Sequence, residues 1–234
     1  MSEIVLKIDQ LDFDQMYRKH FEALSRPVSQ AQQWDQRAMQ VSTRWQPGIY
    51  SQKFLEKLAL APGQSVLDIG CGAGDMSLPI ALQGHTVHAL DFSAGMLERL
   101  TARARDLQIE TRIMTYHLDW FADWQQVPVC DVVIASRSSL VADMGAALEK
   151  LHRHARQRVY VTYPAEAGLR AGPEFSNAHV GAGRIPPYLY LAAILYQHGQ
   201  WPELSYIEDV RQRNGQPVPI RWVLVSWQTQ PWLA

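Results

Sequence analysis

Apolar residues first recur at helical spacing, at Phe13, Met16, Tyr17, Phe21 and Leu24. Arg26-Pro27 interrupts them, and Ala31, Trp34, Ala38 and Val41 resume the period. Two N-terminal helices follow from this, and a short third one near Tyr50 to Leu60 should end before Pro62-Gly63. The period then switches. Short apolar runs at Ser65 to Ile69, Thr86 to Leu90, Asp131 to Ala135 and Arg158 to Tyr163 read as buried strands, with a weaker one near Arg112 to His117. Helical patterns lie between them at Asp75 to Leu82, Ala94 to Leu107 and over Leu140, Val141, Met144, Leu148 and Leu151. Strands alternating with helices imply a parallel sheet covered on both faces.

After Pro164 the alternation gives way to a Gly- and Pro-rich stretch, PAEAGLRAGPEFSNAHVGAGRIPP, and then an apolar helix from Tyr188 to Tyr196 closed by Gly199. The runs Leu204 to Arg213 and Ile220 to Gln228, joined by Asn214-Gly215-Gln216-Pro217, read as an antiparallel hairpin. The expected fold class is α/β: a Rossmann-like, doubly wound, mostly parallel seven-stranded sheet with an antiparallel last strand. N-terminal helices and a helical cap insertion complete it. The chain reads as a single domain, with N-terminal helices in 1–60, a core in 61–163, the cap in 164–203 and the hairpin in 204–234.

Composition changes this picture little. A 234-residue chain with 47% hydrophobic and 19% charged residues buries an ordinary globular core. The formal net charge of -1 gives no overall attraction to a phosphate backbone, so no nucleic acid partner is expected. The one basic cluster, Lys150, His152, Arg153, His154, Arg156 and Arg158, falls where a helix should end and where cations complement its dipole. Cys71 and Cys130 form neither a disulfide framework nor a metal-ligand spacing, so the expectation is a cytoplasmic protein without a metal. No signal peptide and no membrane span are expected, because no run approaches about 18 apolar residues.

The chemistry concentrates in VLDIGCGAG, a strand ending at Asp68 and followed by Gly70, Gly72 and Gly74. Glycines let the main chain turn sharply and a ligand approach it. A dinucleotide fingerprint needs a third glycine where this chain has Asp75, and a pyrophosphate would there meet a carboxylate. Asp91 ends the next strand about twenty residues on, where a carboxylate can accept from both hydroxyls of a ribose.

Asp68 with the glycine pattern resembles the first motif of the class I S-adenosyl-L-methionine-dependent methyltransferases. The resemblance covers about residues 50 to 163. It implies that Asp68, Gly70, Cys71, Gly72 and Gly74 accommodate the methionine part of the cofactor and that Asp91 holds the ribose. Phe92 and Met96 would lie along the adenine, Asp119 would face its amino group, Trp120 would line the base, and Ser136 would sit beside the cofactor. The product would be S-adenosyl-L-homocysteine. Small-molecule members of the family build lids from N-terminal helices and from an insertion after the fifth strand, so the resemblance implies a small-molecule methyl acceptor. Trp45, Tyr50 and Arg137 are candidates to line it, and Arg44 is a candidate partner for the cofactor carboxylate. A proton acceptor, where the acceptor needs one, would come from the cap: His179 or Tyr188 first, with Tyr190 and His198 behind them. Two other readings stand beside this one, a methyltransferase acting on nucleic acid or protein and a non-catalytic cofactor-binding partner subunit. Against the former, Ala135-Ser136-Arg137-Ser138 stands where an Asn/Asp-Pro-Pro-Tyr type motif would be.

Overall fold

The computed structural model describes residues 10–23, 31–165, 186–213 and 216–233. Three helices lead, α1 (Phe13–Ala23), α2 (Ala31–Gln40) and α3 (Ile49–Leu58). The alternating core follows as β1 (Ser65–Ile69), α4 (Ser77–Leu82), β2 (Thr86–Asp91), α5 (Ala94–Asp106), β3 (Ile113–His117), β4 (Cys130–Ala135), α6 (Met144–Arg153) and β5 (Ala155–Pro164). Then come α7 (Pro187–Gln197), β6 (Glu203–Arg213) and β7 (Gln216–Gln228). All seven strands form one sheet in the order β3-β2-β1-β4-β5-β7-β6. The first five pair in parallel, and β7 runs antiparallel to both its neighbours. The fold class read from the pattern is therefore the one observed.

Both faces of the sheet are covered, which is why its central strands read as unbroken apolar runs. Leu67, Val133, Val159 and Val225 face one way, into a core with Tyr17 of α1, Leu148 and Leu151 of α6, and Leu191, Ile194 and Leu195 of α7. Their neighbours Val66, Val132, Tyr160 and Leu224 face the other way, against Phe54 of α3, Leu78 of α4 and Leu100 of α5. Phe54, Leu67, Leu100 and Trp227 are fully buried, and each such side chain contributes about 2 kcal/mol. The inner face of α7 thus belongs to the core layer of α1 and α6. The preceding stretch, on which His179 falls, lies outside the described residues.

Element ends follow local hydrogen bonding. Leu140 and Val141 lie ahead of α6, because Asp143 caps that helix by accepting from Ala146 N at 3.0 Å. Likewise α4 begins at Ser77, since the glycine turn carries the chain past Asp75. The hairpin strands are longer than the apolar pattern suggests, and β7 runs through Pro217 and Pro219. Pairing with β5 starts only at Trp222, so both prolines fall where β7 has a single neighbour, a setting that tolerates them. The cations near the end of α6 are engaged locally. Lys150 donates to the carbonyls of Trp120 and Ala122, Arg156 pairs with Asp131, and Arg158 pairs with Glu203.

Candidate active site

Between β1 and β4 the winding of the sheet reverses, and in such sheets ligands sit outside the carboxyl ends of the strands at that point. The glycine turn, Asp91, Ser136 and Arg137 lie around that point. The chain leaves β1 at Gly70, whose N-H donates to Leu90 O at 2.7 Å, and Cys71 N donates to the same oxygen at 3.1 Å. A Cβ on Gly70 would lie 2.3 Å from the Cβ of Ser138, and one on Gly74 2.4 Å from Leu100 Cδ1, so both glycines are fixed by close packing. Gly72 differs. Its φ is +54°, and a Cβ there would meet nothing within 4 Å, so the main chain at this point borders open space.

Asp91, at the tip of β2, is 5% exposed. Its Oδ2 accepts from Gly72 N at 2.8 Å and its Oδ1 from Ser93 N at 2.9 Å, so it clasps the glycine turn to the start of α5. Burial raises its pKa against the opposing pull of those backbone hydrogen bonds. Asp68 is fully buried, accepts from Ser77 Oγ at 2.6 Å, and has its carboxyl pushed up to about 7, chiefly by burial. Burial also drives the Cys71 thiol well above its ordinary range and that of Cys130 to about 11, which leaves both thiols protonated and unreactive.

Around this clasp, Met96 is buried in the first turn of α5, whose cap is Ser93. Phe92 is half-buried, and its carbonyl accepts from His117 Nε2 at 3.1 Å. Asp119 is exposed and shapes the turn after β3, its Oδ1 accepting from Phe121 N and Ala122 N, both at 2.7 Å. Trp120 donates from Nε1 to Ser138 O at 3.2 Å. Sequence reasoning assigned nothing to Ser138. Yet its Oγ donates to Ile69 O at 2.6 Å, and it joins β1, β4 and Trp120.

On the other side of the crevice, Tyr50 of α3 is buried, with its hydroxyl 2.8 Å from Ser136 Oγ and 2.9 Å from Thr162 Oγ1. Thr162 also accepts from Arg137 N at 2.9 Å. The Arg137 guanidinium lies 4.3 Å above the Tyr50 ring and reaches back to Asp75 at 3.0 Å. Its backbone φ is +60°, a conformation uncommon for a residue with a side chain. Asp35 of α2, also unforeseen, accepts from Ser93 Oγ at 2.6 Å and Gly95 N at 3.0 Å, which lower its pKa. Arg103 joins the segment after α2 to the turn, donating to Ser42 O and to Ala73 O. A carboxylate or a cation in a helical run carries no sequence mark of such an anchor.

The remaining described candidates have other surroundings. Tyr188 packs half-buried against the core of α1, α6 and α7, and Trp45 against that of α3, α4 and α5. Tyr190 is buried edge-on to Tyr17, and His198 caps the end of α7 and stacks on Trp232. Arg44 is exposed.

A doubly wound sheet with a glycine turn at its switch point and a carboxylate on the next strand tip defines a nucleoside-binding α/β protein. The family described as a methyltransferase domain matches residues 66–158. An uncharacterised protein of Haemophilus influenzae is 34% identical over 205 residues, which cover 87% of this chain and 76% of that one. The magnesium protoporphyrin IX methyltransferase of Synechocystis PCC 6803, solved with S-adenosylmethionine bound, superposes with a TM-score of 0.53 at 18% identity over 94% of this chain and 98% of that chain. The chain belongs to the class I S-adenosylmethionine-dependent methyltransferases. It is an enzyme of that class, and S-adenosylmethionine is its cofactor. A 50-residue stretch is 46% identical to a 23S rRNA (uracil(1939)-C(5))-methyltransferase of Halomonas elongata, over 21% of this chain and 10% of that protein. RNA is therefore among the acceptors of proteins similar to this one, and the expectation that set nucleic acid aside draws no support from its relatives. Among the described residues no helix is long and apolar enough to cross a membrane.

Proposed function

We propose that this enzyme methylates a small-molecule acceptor held in the crevice between β1 and β4. The observation that carries the reading is the strapping of the N-terminal helices over the strand ends. Asp35 ties α2 to Ser93 and Gly95, and Tyr50 ties α3 to Ser136 and Thr162. Such a roof favours a small ligand over a long polymer. The engaged cations near the end of α6 and the formal charge of -1 point the same way. Two buried thiols suit a reducing cytoplasm.

The open space beside Gly72 fits the cofactor. In this reading the main chain of Gly70, Cys71, Gly72 and Gly74 meets the methionine portion, with Asp68 behind it and Ser136 alongside. Each oxygen of Asp91 already accepts one backbone N-H and keeps a lone pair for a ribose hydroxyl. Phe92, Met96 and Trp120 flank the adenine, and Asp119 receives its amino group. When bound, S-adenosylmethionine supplies an electrophilic methyl group on a positive sulfur, which keeps the bonding electron pair as S-adenosylhomocysteine leaves. The protein's contribution is alignment of the acceptor and exclusion of water, which can supply much of the acceleration of an in-line displacement. Arg137 lines the acceptor side, Tyr50 acts from behind it, and Trp45 borders the roof. His179 and Tyr188 are the proton acceptors to test for a phenol, alcohol or protonated amine.

The test incubates the enzyme with methyl-labelled S-adenosylmethionine and a cell extract, removes the unreacted donor by chromatography, and counts the remaining small-molecule, RNA and protein fractions separately. Label in the small-molecule fraction, lost in Asp91→Ala, is the expected result. Label confined to RNA or protein sinks the reading.

A further inference from the structure

The sheet ends on β3 at one edge and on β6 at the other, and the two edges are unlike. β3 has five residues and β6 has eleven. Along β6 the register with β7 is unbroken, and the two faces differ. Ile207 is buried in the core of α3, α4 and α5. On the opposite face, which α7 covers further in, Leu204, Tyr206 and Val210 are 42%, 54% and 49% exposed. Trp201, 70% exposed, lies just before the strand and edge-on to Tyr196 of α7, itself exposed. A long edge strand invites pairing with another strand, and an apolar strip beside it marks an interaction surface.

The backbone points the same way. Pro217 and Pro219 lie opposite Gln212 and Val210 and have no N-H to give, while Val210 N donates to Asp209 Oδ1 at 2.9 Å. An antiparallel ladder alternates residues that bond the neighbouring strand with residues that face away from it. Leu204, Tyr206, Glu208 and Val210 therefore present their N-H and C=O groups off the sheet. Among the described residues no further strand takes them.

We infer that β6 is a homodimer interface, where a second copy of this chain pairs antiparallel with it and the two sheets join edge to edge. Self-complementarity names the occupant. A twofold axis must set outward-facing residues opposite one another. With the axis at Ile207, Leu204 meets the partner's Val210 and Tyr206 meets the partner's Glu208. The Tyr206 ring already carries the Arg221 guanidinium at 5.8 Å, so each Glu208 arrives where a cation stands. An axis at Glu208 would oppose two carboxylates, and one at Tyr206 would set Leu204 against Glu208, so the charges favour the first register. Pairing hands the Val210 N-H from Asp209 to the partner's Leu204 carbonyl and leaves Asp209 opposite the partner's Ser205. The crevice between β1 and β4 lies in the middle of the sheet, away from this edge.

The full-length protein is followed by sedimentation velocity from about 1 to about 100 µM as wild type, Val210→Pro, Glu208→Arg and the double variant Glu208→Arg/Arg221→Glu. Val210→Pro removes one outward N-H, a change that an edge strand tolerates. Glu208→Arg sets a cation against the partner's Arg221, and the double variant restores opposite charges. The wild type should dimerise with a Kd of about 10 µM or below. Each single substitution should weaken it about tenfold or more, and the double variant should return to within about threefold of wild type. S-adenosylhomocysteine binding, measured by calorimetry, should stay within about twofold in every variant. A wild type that remains monomeric throughout overturns the inference, whatever other partner the strip then takes. So does a dimer that either single substitution leaves intact, because the copies then meet elsewhere. Should Val210→Pro fail to fold, Glu208→Arg and its rescue decide: weakening without rescue overturns the register and with it the inference.

Discussion

The two sides of the crevice are built differently. On the β2 side the clasp of the turn is local: Asp91 and Gly72 are 19 residues apart, and Gly70 and Cys71 are pinned by backbone bonds to Leu90 of the adjoining strand. On the β4 side the hydroxyl of Tyr50 meets partners 86 and 112 residues away, and Arg137 meets Asp75 62 residues away. The first side is a turn that a short sequence specifies. The second exists only once α3, β4 and β5 have docked, so it depends on the whole fold. If the comparison is sound, substitutions on the two sides separate into those that act on the turn itself and those that act through packing.

The largest effect should come from the turn. In Gly70→Ala the new Cβ meets Ser138 at 2.3 Å in a backbone with φ of +67°, and the loss of stability should be about 3 kcal/mol. Adding Ser138→Gly removes the clash but also the bond from Ser138 Oγ to Ile69 O, so it should recover only about 1 kcal/mol of the loss. Gly72→Ala faces open space, so it should lose only about 1 kcal/mol of stability while S-adenosylhomocysteine binding falls tenfold or more. Urea midpoints and calorimetry measure both. Equal stability losses in the two variants would mean that the turn relaxes around either methyl group.

Next comes Asp91. Asp91→Ala leaves the N-H groups of Gly72 and Ser93 without their acceptor, a loss of about 2 kcal/mol. Asp91→Asn keeps one carbonyl oxygen and should recover about half of it. This carboxylate shows how far the sequence was legible. Its place after an apolar strand and its spacing from the glycines marked it, because both are properties of a local βαβ unit. The sheet and nearly every helix were legible for the same reason, since periods of 2 and 3.6 are written into consecutive residues. Ser138, Thr162, Asp35 and Arg103 were not, because a hydroxyl in a loop or a charge in a helix is ordinary until a distant element arrives beside it. Tyr188 shows the same limit: that its half-buried ring packs on a core completed by α1 and α6 is a fact of tertiary contact that the residues beside it in the sequence do not carry.

The pH dependence tests whether the turn side is as closed as its burial implies. Burial raises the Asp68 carboxyl to about 7, so the folded state holds a proton that the unfolded state releases near its ordinary pKa. The stability this contributes is present in full below about pH 4 and is lost as pH rises toward 7, by at most about 1.4 kcal/mol per unit. Asp68→Asn should flatten that fall in a series of urea melts between these limits. An unchanged slope would mean that the carboxylate is solvated or otherwise stabilised in its charged form.

The smallest effect is the most discriminating. Tyr50→Phe keeps the ring under the Arg137 guanidinium and against Phe54 and Trp222, and removes only the hydroxyl bonded to Ser136 and Thr162. Thr162 still accepts from Arg137 N, so Ser136 bears most of the loss, and stability should fall by about 1 kcal/mol. S-adenosylhomocysteine affinity should stay within about twofold, since the clasp of Asp91 on Gly72 is untouched. In the double variant with Asp91→Ala the stability losses should add to within about 0.5 kcal/mol, as they do for sites that share no partner. A coupling well above that would make the two sides one cooperative unit. The local turn would then owe its shape to the docking of α3, and the contrast between the two sides would hold for hydrogen-bond separation alone.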